Sequence, residues 1–366
     1  MDVADRARRL RGRLGDAGAG PPVDALLVTN LANIRYLTGF TGSAGRLLVS
    51  AGGVLLVTDG RYDTQAAEQT AAAGADARIE IASTLGAQDA ALAAALDAAG
   101  AGRLGLEAAD VTWGDVRRYA EPPFAAELVA TSGVVEALRE VKDDGEIARL
   151  AAASAIADAA LATVRPALAE QPTEAELGLE LDTAMRRLGA DGVSFETIVA
   201  SGPNGAKPHH RPGRRRISAG DLVVLDFGAL VDGYHSDMTR TVVVGEPSDV
   251  QRRMLDVVGE AQAAGVAAVR AGVDAAAVDA ACRDRIERAG WGDAFVHGTG
   301  HGIGLDIHEA PRLARTATGA LRAGQVITVE PGVYLPEHGG VRIEDSVVVT
   351  DDGCRPITLA PKHWRV

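Results

Sequence analysis

Two stretches of the chain share one alternation of apolar and polar positions. Leu222 to Leu225 and Met238 to Val244 are apolar, β-branched runs on either side of Asp232-Gly233, a two-residue turn signal, and together they predict a β-hairpin. With Asp232-Gly233 as its loop, Asp237 lies opposite Gly228, two positions from Asp226 on the same pleat face. Two carboxylates then point to one side with no Lys or Arg interleaved, which is costly on a partly buried face unless a cation lies between them. Gly324 to Glu330 repeats the pattern of Gly220 to Asp226 at the same six-residue offset, and Gly340 to Val349, with Arg342 and Glu344, is its return strand. Between the hairpins, His297-Gly-Thr-Gly-His301-Gly-Ile-Gly-Leu-Asp-Ile-His308 puts three histidines in a glycine-rich run whose backbone can approach a site closely.

The remaining periodicity divides the chain. Residues 2–15 read as an amphipathic helix stopped before Pro21-Pro22. Strands follow at 25–29, 46–49, 54–58 and 103–106, with alanine-rich helices at 63–73 and 86–99, the alternation of a small α/β domain over residues 1–133. Thr29 to Gly42 and Thr58 to Tyr62 are polar-aromatic clusters at strand ends. In residues 134–366, Asp143 with Glu146 and Thr173 with Glu176 mark helix starts, the helices running to about 164 and 188. Strands near 194–200 and the first hairpin complete a unit that recurs as helices 249–270 and 274–289, a strand near 294–297 and the second hairpin. Two such α-α-β-β units around one site predict an α+β fold, a curved antiparallel sheet backed by helices.

At 366 residues two domains are expected, and a net charge of −13 argues against nucleic acid or anionic membrane as a partner. The two cysteines, Cys282 and Cys354, give neither a disulfide framework nor a Cys-rich zinc signature. A charged N-terminus without an apolar core segment, and no long apolar run, point to a cytoplasmic protein. Asp226, Asp237, His301, Glu330 and Glu344 offer four carboxylates and one imidazole, too many anions for one transition metal but a balance for two divalent cations. Hard oxygen donors with one nitrogen favour Mn²⁺, with Co²⁺ or Zn²⁺ able to substitute, and such a pair acidifies a water for hydrolysis. Asp232 and Asp306 read as turn or solvated carboxylates, His210 as a loop surface group, and the run Arg211, Arg214, Arg215, Arg216 as a solvated loop.

The motifs Val223-Val-Leu-Asp226-Phe-Gly, Tyr234-His-Ser-Asp237-Met-Thr-Arg-Thr, His297 to His308, Thr328-Val-Glu330-Pro-Gly and Val341-Arg342-Ile-Glu344-Asp resemble, in order, those of the pita-bread metallopeptidases. The resemblance is strongest to the Xaa-Pro branch, aminopeptidase P and prolidase, and Thr29 to Gly42 with Thr58 to Tyr62 is similar to the creatinase-like N-terminal domain. It implies that Asp237 and Glu344 bridge two metals, that Asp226 completes one, and that His301 and Glu330 complete the other. Glu330 would also shuttle a proton from the nucleophilic water to the leaving imino nitrogen. His209 matches an outer histidine, His297 and His308 would contact substrate or its oxyanion, and Arg342 would orient Glu344. The implied activity is that of an Xaa-Pro aminopeptidase acting on peptides with proline second, as a homodimer or higher homo-oligomer. The alternatives are a prolidase, with the Arg211 to Arg216 run as a candidate carboxylate holder, and a metal-free binding module. Tyr36 and Phe40 are expected to reach over a neighbouring subunit's pocket.

Overall fold

The computed structural model describes residues 3–15 and 21–365 and divides into two compact units, residues 1–139 and 140–366. In the first, a six-stranded sheet runs Arg78–Ile81, Gly53–Thr58, Arg46–Ser50, Ala25–Val28, Arg103–Glu107, Glu127–Thr131. The three central strands are antiparallel and the outer pairings parallel. Its helices include Asp63–Ala72 and Leu85–Ala98 as expected, while the first is shorter than the pattern suggested, Ala4–Arg11.

The cluster from Thr29 begins at the end of the strand Ala25–Val28, as expected, and continues as a helix, Leu31–Thr38, that the pattern did not predict. Asn30 caps it by accepting from the Asn33 N–H at 3.0 Å, and Gly39, at φ 76°, ends it. Eight residues are too few for the apolar period to declare itself. The helix turns Ile34, Tyr36 and Leu37 into the core, so Tyr36 and Phe40, each 1% exposed, cannot reach over another subunit. Arg6 stacks on the Tyr36 ring, and Phe40 meets Tyr62 edge to face.

In the second unit the helices Asp144–Val164 and Glu174–Arg187 begin at the expected capping boxes, both fully formed. The first is long and apolar enough to cross a membrane, yet Ala153, Ala157, Ala160, Leu161 and Val164 form a buried face in one core cluster with Leu177, Leu181 and Met185, as in a core helix. Helices Asp249–Ala268 and Ala275–Arg288 repeat the pair. The strands are antiparallel and form short sheets, chiefly Met238–Val243 with Leu222–Phe227 and Ile198–Ser201, and Glu309–Leu313, Gly300–Gly302, Val326–Val329, Asp345–Val349, Cys354–Pro356.

Residues 294–297 are not a strand. A 3₁₀ turn, Gly292–Ala294, leads into irregular backbone because Arg283 takes the Phe295 and His297 carbonyls at 3.0 and 2.8 Å, the acceptors a ladder would need. The C-terminal segment is tied behind the sheets. The buried Arg240 guanidinium donates to the carbonyls of Glu344, Ala360 and Pro361 and pairs with Asp345 at 2.8 Å, and Asp158 accepts from the Leu359 and Ala360 N–H groups.

Candidate metal centre

The first hairpin has the register its turn dictates. Asp232 and Gly233 both have positive φ, 47° and 75°, the signature of a type I′ turn, and Met238 faces Phe227 while Thr239 faces Asp226. Asp237 thus lies one step beyond, beside Asp226 on the pleat. In the second hairpin Val329 faces Asp345 and Gly332 faces Arg342, which sets Glu330 across from Glu344. Each hairpin is closed at its base by a glycine N–H, Gly220 to Val244 O at 2.7 Å and Gly324 to Val349 O at 3.0 Å.

The glycines around His301 bring it to these carboxylates. A Cβ on Gly300 would lie 2.0 Å from Thr328 O and one on Gly302 2.2 Å from Ala310 O, so only glycine lets the strand Gly300–Gly302 nest against its neighbours. His301 Nδ1–H donates to Gly302 O at 3.0 Å, which leaves Nε2 facing Glu330 Oε1 at 3.3 Å and Asp237 Oδ2 at 3.6 Å.

All five residues line one cavity of about 630 Å³ together with His209, His297, His308 and Arg342. Arg342 donates to Asp226 Oδ2 at 2.5 Å, to Thr239 Oγ1 at 3.1 Å and to the Tyr334 hydroxyl at 2.7 Å. It therefore orients Asp226 directly and Glu344 only through Thr239, whose hydroxyl donates to Glu344 Oε2 at 2.7 Å. Tyr334, which the sequence did not flag, passes its proton toward His297 Nε2 at 2.8 Å, and His297 Nδ1–H is spent on Gly298 O at 2.7 Å. Among the described residues the rings of His209 and His308 make no hydrogen bond, although His308 packs edge-on against His301 with centroids 4.4 Å apart. Lys142 and Glu309 form a buried pair at 3.0 Å, and Glu309 also accepts from Asp306 N–H, so the turn carrying His308 is fastened from below.

The electrostatics ask for cations. Burial, then the neighbouring carboxylates, holds Asp237 and Glu344 well above the ordinary carboxylate range, and burial raises Asp226 against the pull of Arg342. Burial would raise Glu330 too, but the hydrogen bond and charge of His301 bring it below the usual value. Asp226 Oδ1 and Glu344 Oε1 are buried with no hydrogen-bond partner among the described residues, and ligand atoms of Asp237, His301 and Glu344 lie within 4.8 Å of one another. Orphaned, mutually repelling oxygens around one imidazole fit divalent metal ions.

The arginine run separates. Arg211 lies at the cavity rim paired with Glu196 at 2.9 Å, Arg215 is bound to Asp221 and Ser201, and Arg216 donates to Gln171 O. The cation that faces the cavity without an ionic partner among the described residues is Arg312, across the ladder from His301. An arginine four residues after the third histidine was the available signal for it, as a polar hydroxyl in the apolar strand Gly332–Leu335 was for Tyr334.

Comparison with known proteins agrees with this geometry. Residues 148–351 match metallopeptidase family M24 and residues 6–141 match the creatinase/prolidase N-terminal domain. An Xaa-Pro dipeptidase of Pyrococcus furiosus is 40% identical over 260 residues, 71% of this chain and 74% of its own length. The solved structure of an Xaa-Pro dipeptidase from Bacillus anthracis superposes with a TM-score of 0.92 at 41% identity, covering 99% of both chains. An X-Pro aminopeptidase from Thermotoga maritima superposes with a TM-score of 0.88 at 35% identity over 99% of this chain and 100% of that one.

Proposed function

We propose, since this chain belongs to metallopeptidase family M24 and carries the family's pita-bread fold behind a creatinase/prolidase N-terminal domain, that it is an Xaa-Pro dipeptidase, a prolidase. This replaces the Xaa-Pro aminopeptidase as first choice. The observation that carries it is Arg312, which lines the cavity across from His301 with no carboxylate among the described residues to neutralise it. In a dipeptide the terminal carboxylate lies one residue from the scissile carbonyl, within reach of such a cation, and a guanidinium suits it in charge and shape. The dipeptidases among its relatives support the same reading.

Asp226, Asp237, His301, Glu330 and Glu344 would hold two divalent cations, with Mn²⁺ favoured over Co²⁺ or Zn²⁺, and these supply Lewis acidity and an acidified water at neutral pH. The protein's own groups do the rest. Glu330, kept ionised by His301, accepts a proton from the attacking water and returns it to the proline nitrogen, a tertiary amide nitrogen that cannot leave unprotonated. His209 and His308, the histidines with uncommitted rings, are placed to donate to substrate oxygens. His297, with both nitrogens engaged, acts through Tyr334 and Arg342 on Asp226.

The test is hydrolysis of an Xaa-Pro dipeptide and an Xaa-Pro-Yaa tripeptide side by side, with chelated and Mn²⁺-loaded protein. Metal-dependent cleavage of the dipeptide, with KM raised at least tenfold by Arg312→Leu, is expected for one charged contact. Equal or better cleavage of the tripeptide, unaffected by that substitution, would return the assignment to an aminopeptidase.

A further inference from the structure

We propose that Glu174 and His210 form a positioning pair that aims the His209 imidazole into the cavity, an inference that rests on reading His209 as a substrate contact. Glu174, the first residue of the helix Glu174–Arg187, is wholly buried, and its carboxylate gathers the loop that leaves the strand Ile198–Ser201. Oε1 accepts from the Ser201 N–H at 2.8 Å, the Ser201 hydroxyl at 2.7 Å and the Asn204 amide at 3.0 Å. Oε2 accepts from the His210 ring at 2.9 Å and the Gly213 N–H at 3.1 Å. A buried carboxylate is tolerated only when its lone pairs are engaged, and this one has donors from every part of the loop. Those donors hold it below the ordinary carboxylate range although burial works the other way.

His209 stands between two anchored neighbours. Arg342 Nη1 donates to Pro208 O at 3.4 Å, and the His210 ring, only 16% exposed, is fastened to Glu174. The His209 ring makes no hydrogen bond among the described residues and lines the cavity with Asp226 and Glu330. His210 is therefore no surface group. It fixes the loop from beneath, so that the residue before it keeps one orientation without spending its own nitrogens.

The test is a cycle of His209→Ala, His210→Ala and the double variant on metal-loaded protein, with His210→Gln as the conservative change, because a glutamine amide can still donate to Glu174. His210→Ala should lower kcat for an Xaa-Pro dipeptide by roughly a hundredfold at unchanged metal stoichiometry, the cost of a misplaced catalytic group. His210→Gln should recover most of that loss, and the double variant should be no slower than His209→Ala alone, since a residue acting through His209 has nothing left to position. Losses that multiply, or full activity in His210→Ala, overturn the pairing.

Histidine side-chain ¹⁵N spectra of zinc-loaded protein give a second readout that needs no substrate. The His209 signal should be single in the parent and in His210→Gln and should broaden or split in His210→Ala. An unaltered signal overturns the proposal whatever the enzyme hydrolyses. A parent protein that leaves Xaa-Pro dipeptides intact overturns the prolidase reading alone, with the spectra deciding the pairing.

Discussion

At the residue scale, the centre is a contest between burial and charge. Asp237 and Glu344 bind protons in the folded, cation-free protein at pH values where an unfolded chain has released them. A carboxyl raised in this way contributes stability that is present below the ordinary carboxylate range and is lost as pH rises through the folded values. The Tm of chelated protein should accordingly fall as pH climbs out of that range, and saturating Mn²⁺ should flatten the slope; a chelated protein whose Tm rises over the same window would mean the carboxyls are ionised without metal. Tyr334→Phe makes a separate point. It removes the hydroxyl between Arg342 and His297 while leaving every candidate ligand in place. Losing one hydrogen bond to a charged group, worth about 1.5–3 kcal/mol, should cut kcat about 10- to 100-fold with metal content intact. Metal loss in that variant would show that the network holds the ligands themselves.

Elements decided how much could be read in advance. The first hairpin was legible because a type I′ turn fixes its register from two residues, and the second because it repeats the spacing of the first. Capping boxes at Asp143 and Thr173 declared their helices for the same reason, a side chain and a backbone group three residues apart. What stayed hidden depends on distant partners. The helix after Asn30 is short and set by packing, the missing strand at 294–297 is cancelled by Arg283 from another helix, and His210 takes its role from Glu174. Glycine spacing in the histidine run was visible, but its cause was not. Gly300→Ala tests that cause: a Cβ driven toward Thr328 O must shift the strand that carries His301, so bound metal should drop well below the parent's stoichiometry in a protein that still folds. Parental metal binding would mean that the strand yields elsewhere.

For the molecule as a whole, the five candidate ligands all belong to the unit of residues 140–366, which has its own two apolar cores. A ligand that binds the native state raises stability by mass action, about 2.7 kcal/mol for each site at a hundredfold excess over Kd. Calorimetry should therefore show a metal-dependent transition belonging to residues 140–366, with the unfolding of the six-stranded N-terminal unit much less affected. Equal shifts of both, or one inseparable transition, would mean that the two units unfold as a single cooperative body. Nothing in the sequence distinguished these cases, since chain length predicts two domains and is silent on how they share their stability.

Residues 360–362 act on the centre from a distance. Arg240 grips the carbonyl of Glu344 with the same guanidinium that grips Ala360 and Pro361, and Lys362 reaches Asp345 beside it. Loss of residues 360–362 would remove those anchors while Asp226, Asp237, His301, Glu330 and Glu344 all remain. Metal affinity would then fall through the support of the strand that carries Glu344, with all five candidate ligands still in the chain.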